Sequence, residues 1–453
     1  MTDHYHRMTT EPVRSLILKL AFPTVLSMLV TALYNLATTF YVGRLNTEAT
    51  AAVGVTFAAM SIIQAVGFFF GQGSGNAISR HLGAREKEAA TRMAATGFFI
   101  GIAVAILLAI VALLLLTPLC RLLGATPTIL PHTQEYLTPI LIGAPVMTAA
   151  FTLNNQLRFQ GNAMLGMTGI VSGSLLNIAL QPFFIFGIGW GLRGAAICTV
   201  LCQSISLAIL LFLNVRRGSV PLSISATSLA RPALAEMVRG GLPSLARQGL
   251  ACLATLLLNH AAGTFGDAAI AGMSITTRIT FMMYAIFIGL GQGFQPVCGY
   301  CYGAKRYDRL LQGFSFCTIY GTIGMAVLAV LGFIFAEPLT ALFRDDIEVI
   351  AIASVALRWQ LIVYPLNMFV TVSNMTLQTI GRARPATILA SARQGIFFIP
   401  LILGLPPMLG LVGVQLATPI ADLCSFLLAI PLIRSTLKNF KKAINTPQKP
   451  NCC

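Results

Sequence analysis

Apolar runs of roughly 20 residues, long enough for a helix to cross the hydrocarbon core of a bilayer, recur along the whole chain. They predict helices over 15–40, 52–79, 93–117, 132–156, 163–189 and 193–214, then over 233–262, 268–297, 312–336, 349–377, 385–405 and 411–434. The pattern nearly repeats itself at a spacing of 220 residues. Pro12 and Pro23 recur as Pro232 and Pro243, and Gly71-Gln72-Gly73 as Gly291-Gln292-Gly293. Gly83-Ala84 recurs as Gly303-Ala304, and Pro118, Pro145, Asn154 and Gly161 return as Pro338, Pro365, Asn374 and Gly381. The register holds without a gap from position 12 to position 161. The predicted fold is an all-α membrane protein of about twelve transmembrane helices in two pseudo-symmetric six-helix bundles. Such a duplicated membrane bundle is the architecture of an alternating-access transporter.

The organisation that follows has five parts. Residues 1–14 form an N-terminal lead, 15–214 a first six-helix lobe, 215–232 a linker, 233–434 a second lobe, and 435–453 a basic tail expected to lack order from residue 437. Proline interrupts several spans, including Pro23, Pro145, Pro182, Pro243, Pro365, Pro400 and Pro419. Such prolines predict kinks whose freed backbone groups need neighbours or a wet cavity. Pro23/Pro243 and Pro145/Pro365 are repeat-related, so their kinks are expected in both halves. Small-residue pairs at Gly67/Gly71, Gly97/Gly101 and Gly169/Gly173 predict close helix packing.

Composition agrees with lipid rather than water as the solvent. Hydrophobic residues make up 56% and charged residues 10% of 453, where a soluble chain carries about 25% charge. A net charge of +16 would suggest nucleic acid in a soluble protein, but its distribution argues otherwise. Arg80, Arg85, Lys87 and Arg92 follow the second span, and Lys305, Arg306 and Arg309 the eighth. Arg216, Arg217, Arg231 and Arg239 surround the linker, and Lys438, Lys441 and Lys442 the tail. The opposite loops hold isolated arginines, Arg44, Arg121, Arg193 and Arg344. The positive-inside rule then puts both termini and the linker in the cytoplasm. Anionic lipid headgroups are the expected partner of that face, with no role for nucleic acid. The polar lead and the long first run read as an uncleaved insertion signal.

Chemistry of the enzymatic kind is not legible. Gly189, Gly191 and Gly194 spell GxGxxG, but in a turn between spans with no strand before a phosphate-cradling helix. Cys298 and Cys301 form a lone C-x-x-C, Cys198, Cys202, Cys252, Cys317 and Cys424 sit in spans as small hydrophobes, and Cys452-Cys453 ends the chain. No catalytic or resident metal site is expected, and no cofactor.

Polar groups inside spans are expensive and therefore candidates for function. Of the 14 acidic residues, Asp422 is the one carboxylate placed well inside a predicted span. The embedded cations are placed at Arg247, Arg278, Arg358 and Arg393, all in the second repeat. Asp422 either pairs with one of them and holds helices together, or exchanges a proton or cation while the arginines line a cavity. The first repeat offers amides instead: Asn35, Gln64, Gln72, Asn154, Asn155, Gln156, Asn177, Gln181 and Gln203. Asn177 and Gln181, four residues apart, share a helix face. Tyr34, Phe40, Phe68, Phe69, Phe70, Met282 and Met283 could supply a soft apolar wall.

Several of these segments resemble one family. Leu33-Tyr34-Asn35 with Thr39-Phe40-Tyr41-Val42-Gly43 is similar to the first-helix signature of the multidrug and toxic compound extrusion (MATE) family. Gly289-Leu290-Gly291-Gln292-Gly293-Phe294-Gln295-Pro296-Val297, followed by Gly299-Tyr300-Cys301-Tyr302-Gly303-Ala304-Lys305, resembles the eighth-helix segment of its MepA-like bacterial branch. Asn154 to Ala163, Ser244 to Gly249 and Pro419 to Asp422 match the same branch, so the resemblance covers about residues 10–435.

The resemblance implies twelve helices around a central cavity, in the plasma (inner) membrane of a bacterium. It also implies export of amphipathic, cationic small molecules driven by a Na⁺ or H⁺ gradient, by a monomer. Related transporters place an Asp, an Asn and Asp four residues apart, and a Thr around a first-lobe cation. By motif those positions are Thr38, Asn177, Gln181 and Thr199, so both carboxylates are missing. A site of neutral oxygens cannot carry a titrating proton, which makes altered coupling the expectation and Asp422 the candidate coupling carboxylate. Tyr34, Asn35, Asn154, Gln203, Arg247, Arg278, Gln292, Asn374 and Arg393 are the candidate cavity and substrate residues. The alternative is a flippase for lipid-linked saccharides, whose pyrophosphate would suit embedded arginines. A membrane-embedded enzyme is the remote alternative.

Overall fold

The computed structural model describes residues 2–344 and 346–445, and no strand occurs among them. The tail beyond Asn445, with Cys452 and Cys453, lies outside the described residues. The first repeat supplies α1 (Val13–Gly43), α2 (Thr47–Gly83), α3 (Lys87–Leu114), α4 (Leu130–Phe159), α5 (Ala163–Pro182) and α6 (Gly191–Arg217). The second supplies α7 (Arg231–Gly263), α8 (Asp267–Gly303), α9 (Tyr307–Ile334), α10 in two pieces (Ile347–Val363 and Leu366–Thr379), α11 (Ala383–Leu409) and α12 (Leu411–Asn445). Eleven of these helices are long and apolar enough to cross a membrane, and the two pieces of α10 together make a twelfth span. Short helices Thr2–Thr10, Leu116–Leu122 and Ala336–Ala341 accompany them.

The duplication is visible in the backbone. Helix starts at 47, 87, 163 and 191 recur at 267, 307, 383 and 411. Gly161 and Gly381 both leave their helices with φ near +84°, at 84° and 83°. Arg85 and Lys305, also repeat-related, are the non-glycine residues with positive φ among the described residues, at 65° and 57°.

Two compact units emerge. One comprises Phe22–Leu82 and Glu86–Gln248; the other comprises Thr2–Ala21, Gly83–Arg85 and the described residues from Gly249 onward. Within the first, Val42, Ile63, Tyr136, Ile140, Met147 and Ala195 share a core, and Phe98, Leu153, Leu157 and Leu210 another. The predicted small-residue seams pack as expected. A Cβ on Gly67 would lie 2.7 Å from that of Phe151, and one on Gly71 would lie 2.9 Å from that of Asn155, so these glycines let α2 sit directly against the side chains of α4. Gly173 likewise faces Ser206 of α6. The core of the second unit joins Leu258, Met273, Phe398, Ile402, Val414 and Ala417.

Two expectations change. Repeat-related prolines do not bend both halves alike: α10 breaks at Tyr364-Pro365 with a 58° bend, whereas Pro145 sits inside the unbroken α4. The second-half turn is tightened by short-range bonds, Asn367 N–H to the Tyr364 carbonyl at 3.1 Å, while the Tyr364 hydroxyl is tied to the Thr280 carbonyl at 3.0 Å. The basic tail is helical as far as Asn445, because Leu437 and Phe440 continue the apolar pattern of α12 beyond residue 434. The Gly189–Gly194 motif runs from the short turn before α6 into its first residues, with Gly189 and Gly191 at φ +77° and +54° and no strand ahead of it.

Candidate functional site

Each unit encloses a polar cluster among the predicted site residues, and the two differ in kind. In the first unit, α1 contributes Thr38, α5 contributes Asn177 and Gln181, and α6 contributes Thr199; all four are buried. The i, i+4 spacing puts Asn177 and Gln181 one above the other on α5. Gln181 meets Thr38, with Oγ1 3.1 Å from both amide atoms. The Asn177 amide donates to Thr199 Oγ1 at 3.3 Å, and that hydroxyl donates to the Ala195 carbonyl at 3.0 Å. Asn177 Oδ1 is left enclosed with no hydrogen-bond partner. The cluster thus has no titrating group and a single uncommitted acceptor. It can offer a cation neutral oxygens, but it cannot take up or release a proton near neutral pH.

A second layer in the same unit was missed in part. Arg158, at the end of α4, is only 4% exposed; its guanidinium donates to Asn155 Oδ1 at 2.7 Å and lies over the Phe159 ring. The expectation that embedded cations belong to the second repeat alone is therefore corrected. Arg158 lay in a stretch read for its amides, and its short distance from the helix end disguised its depth. Gln156 bridges Ser74 Oγ and the Ala94 carbonyl, both at 2.9 Å, and Gln72 accepts from Ser244 Oγ at 2.8 Å. These amides hold helices together.

In the second unit the cluster is ionic. Asp422 on α12 is fully buried. Arg393 Nε donates to its Oδ1 at 2.6 Å, Arg393 Nη2 reaches Oδ2 at 3.4 Å, and Asn367 Nδ2 donates to Oδ2 at 2.8 Å. Arg393 emerges from a π-helical turn, Ala392–Phe397, that interrupts α11, a distortion frequent at functional sites. Its guanidinium lies 5.2 Å from the centre of the Tyr284 ring, whose hydroxyl bonds Thr371 Oγ1. Thr371 Oγ1 donates on to the Asn367 carbonyl at 2.8 Å. Four elements, α8, α10, α11 and α12, thus converge on one carboxylate. Asn367 and Tyr284 escaped the sequence reading, although an amide two residues after Pro365 in an apolar run was a usable signal.

The remaining candidates scatter. Tyr34 and Gln292 are buried; Asn35 and Arg278 are exposed; Arg247 is half-buried. Gln203 Oε1 is enclosed without a partner. Asn374 donates to the Ala386 carbonyl at 2.7 Å, and its repeat mate Asn154 lies against Gly166, the counterpart of Ala386. Both amides brace the next helix. Arg358 pairs at 3.1 Å with the exposed Glu337 in the first turn of the preceding short helix.

The MatE family model matches the chain twice, over residues 23–183 and 243–403, the same 220-residue offset that the sequence displays. The chain belongs to the MatE family. A MatE protein is a transporter rather than an enzyme, and this one is a multi-pass membrane protein. It is 27% identical to a multidrug export protein, MepA, of Staphylococcus aureus (strain MRSA252), over 94% of this chain and 95% of that one. Its structure is similar to a crystal structure of MATE in the bent conformation, with TM-score 0.92 and 26% identity over 98% of this chain and 100% of the other. It is also similar to the outward-facing conformation of a multidrug resistance MATE family transporter, with TM-score 0.90 and 26% identity over 96% and 98%.

Proposed function

We propose that this MatE transporter exports amphipathic, cationic small molecules across a bacterial inner membrane by alternating access, with its termini in the cytoplasm and with altered cation coupling. The observation that carries the coupling part is the mutual satisfaction of Thr38 and Gln181 at 3.1 Å. Where the family resemblance implies carboxylates, this chain has two neutral side chains that already bond each other. A proton cannot be carried there. A Na⁺ ion would find Asn177 Oδ1 free, but no negative charge to offset its dehydration.

Coupling in this reading moves to Asp422. Opening the Arg393 pair would let the carboxylate accept a proton or a cation, and Asn367 would hold it in place meanwhile. The rival flippase reading rested on a cluster of embedded arginines. Arg393 is neutralised by Asp422 and Arg358 by Glu337, which removes two of them.

The test is efflux of a cationic dye from proteoliposomes under separately imposed Na⁺ and H⁺ gradients. Asp422→Asn should weaken whichever gradient drives export. Unchanged transport and unchanged pH dependence in that variant would dismiss Asp422 as the coupling group.

A further inference from the structure

We infer that the segment between the two repeats carries a binding site for the phosphate of an anionic membrane lipid. Arg217 ends α6 and Arg231 begins α7. The stretch between them folds back onto α3 and is clasped there. Ser228 N–H donates to Thr96 Oγ1 at 3.0 Å, and the same hydroxyl approaches the Ser228 carbonyl at 3.5 Å. Beside this clasp lies an open cavity of about 500 Å³, lined by Lys87, Glu88, Thr91 and Arg92 of α3 and by Ser225–Ser228 of the linker.

The lining matches a phosphate monoanion or diester. Lys87 and Arg92 supply two cations five residues apart, and Thr91, Ser225 and Ser228 supply hydroxyls. Thr227 also lines the cavity, and its hydroxyl oxygen is shielded from solvent yet has no hydrogen-bond partner. An enclosed hydroxyl without a partner is unfavourable, so Thr227 marks a place where the lining's polar groups are not satisfied within the chain.

The surroundings identify that ligand as a lipid rather than a dissolved anion. Ile224 and Leu229, on either side of the lining segment, are 73% and 74% exposed, and Val215 in the last turn of α6 is 84% exposed. Arg216, Arg217 and Arg231 stand among them. Exposed aliphatic side chains interleaved with arginines at the ends of spans are the pattern of a segment lying in the headgroup layer. There the apolar groups meet acyl chains and the cations meet phosphates. A soluble anion would make no use of Ile224 and Leu229.

Native mass spectrometry of the purified full-length transporter, loaded with phosphatidylglycerol or phosphatidylcholine, tests this. One phosphatidylglycerol should be retained in preference to phosphatidylcholine. Replacing Lys87 and Arg92 together by Gln should cut that retention about tenfold or more, on the basis of roughly 1 kcal/mol per cation at an anionic surface. Glu88→Gln removes the one carboxylate of the cavity and should raise retention roughly two- to fivefold, a gain that misfolding cannot imitate. Ile224→Ser with Leu229→Ser should lower it. Equal retention in the Lys87/Arg92 variant, or no gain in Glu88→Gln, would overturn the site. Displacement of the lipid by millimolar glycerol 3-phosphate would overturn the lipid as its occupant.

Discussion

The two halves of this MatE protein share a backbone plan and place their polar chemistry at different positions of it. The first-half positions Thr38, Asn177, Gln181 and Thr199 correspond, 220 residues on, to Leu258, Phe397, Leu401 and Pro419. Leu258 lies in the apolar core of the second unit, with Phe397 and Leu401 packed against that core. The converse also holds. Asp422, Asn367, Arg393 and Tyr284 correspond to Cys202, Met147, Gly173 and Gln64, and Met147 belongs to the core of the first unit. Gln64 apart, each half is dry where the other is polar. Duplication copied the helices and their seams, and the embedded hydrogen-bonding groups were then distributed independently.

The contrast predicts unequal responses to mutation. The largest effect is expected at the ionic cluster. Arg393→Met strands a buried carboxylate and should cost about 3–5 kcal/mol, visible as a large fall in the thermal midpoint in detergent. Replacing Arg393 and Asp422 together by Met and Leu should recover most of that loss. A double variant as unstable as the single one would show that the pair contributes more than charge balance.

Next comes the neutral cluster. Thr38→Asp with Gln181→Asp should introduce ion-dependent stability, the thermal midpoint rising with added Na⁺ through linkage, by about 2.7 kcal/mol at a hundredfold excess over Kd. Ion-driven efflux should rise with it. No response to Na⁺ or to pH would mean that the site has lost more than its carboxylates.

A third comparison uses the seams that both halves keep. Gly71→Leu must force α2 away from Asn155 and Thr152, and overpacking of this kind costs about 1–3 kcal/mol. Proline separates the halves again: Pro365→Ala should change transport by straightening the 58° break, whereas Pro145→Ala should leave transport near the parent rate. Equal effects of the two would refute a special role for the bend. The smallest effect is expected of Glu337→Gln. It breaks an exposed ion pair with Arg358 and should shift stability by less than about 1 kcal/mol.

Much of the fold was legible because hydrocarbon thickness sets helix length. An apolar run between polar turns has few alternatives in a bilayer, so all twelve spans fall where the runs predict. Helix ends were less legible: α12 runs eleven residues past position 434, to Asn445, because a basic amphipathic stretch reads as tail from composition alone. Partnerships were legible only as possibilities. The sequence marked Asp422 and several arginines, but which arginine it meets depends on the π-helical turn that redirects Arg393. Asn367 and Tyr284 were overlooked for a related reason, since their importance comes from convergence of four helices rather than from local pattern. Identical prolines at 145 and 365 gave no hint that only one breaks its helix.

Arg85 and Lys305 carry a different kind of information. Both sit in left-handed backbone, at φ 65° and 57°, where glycine would relieve roughly 1 kcal/mol of strain. Each half therefore tolerates a small, permanent conformational cost at the same corner and keeps a cation there. A strained basic residue found twice in register is an heirloom of the single six-helix ancestor.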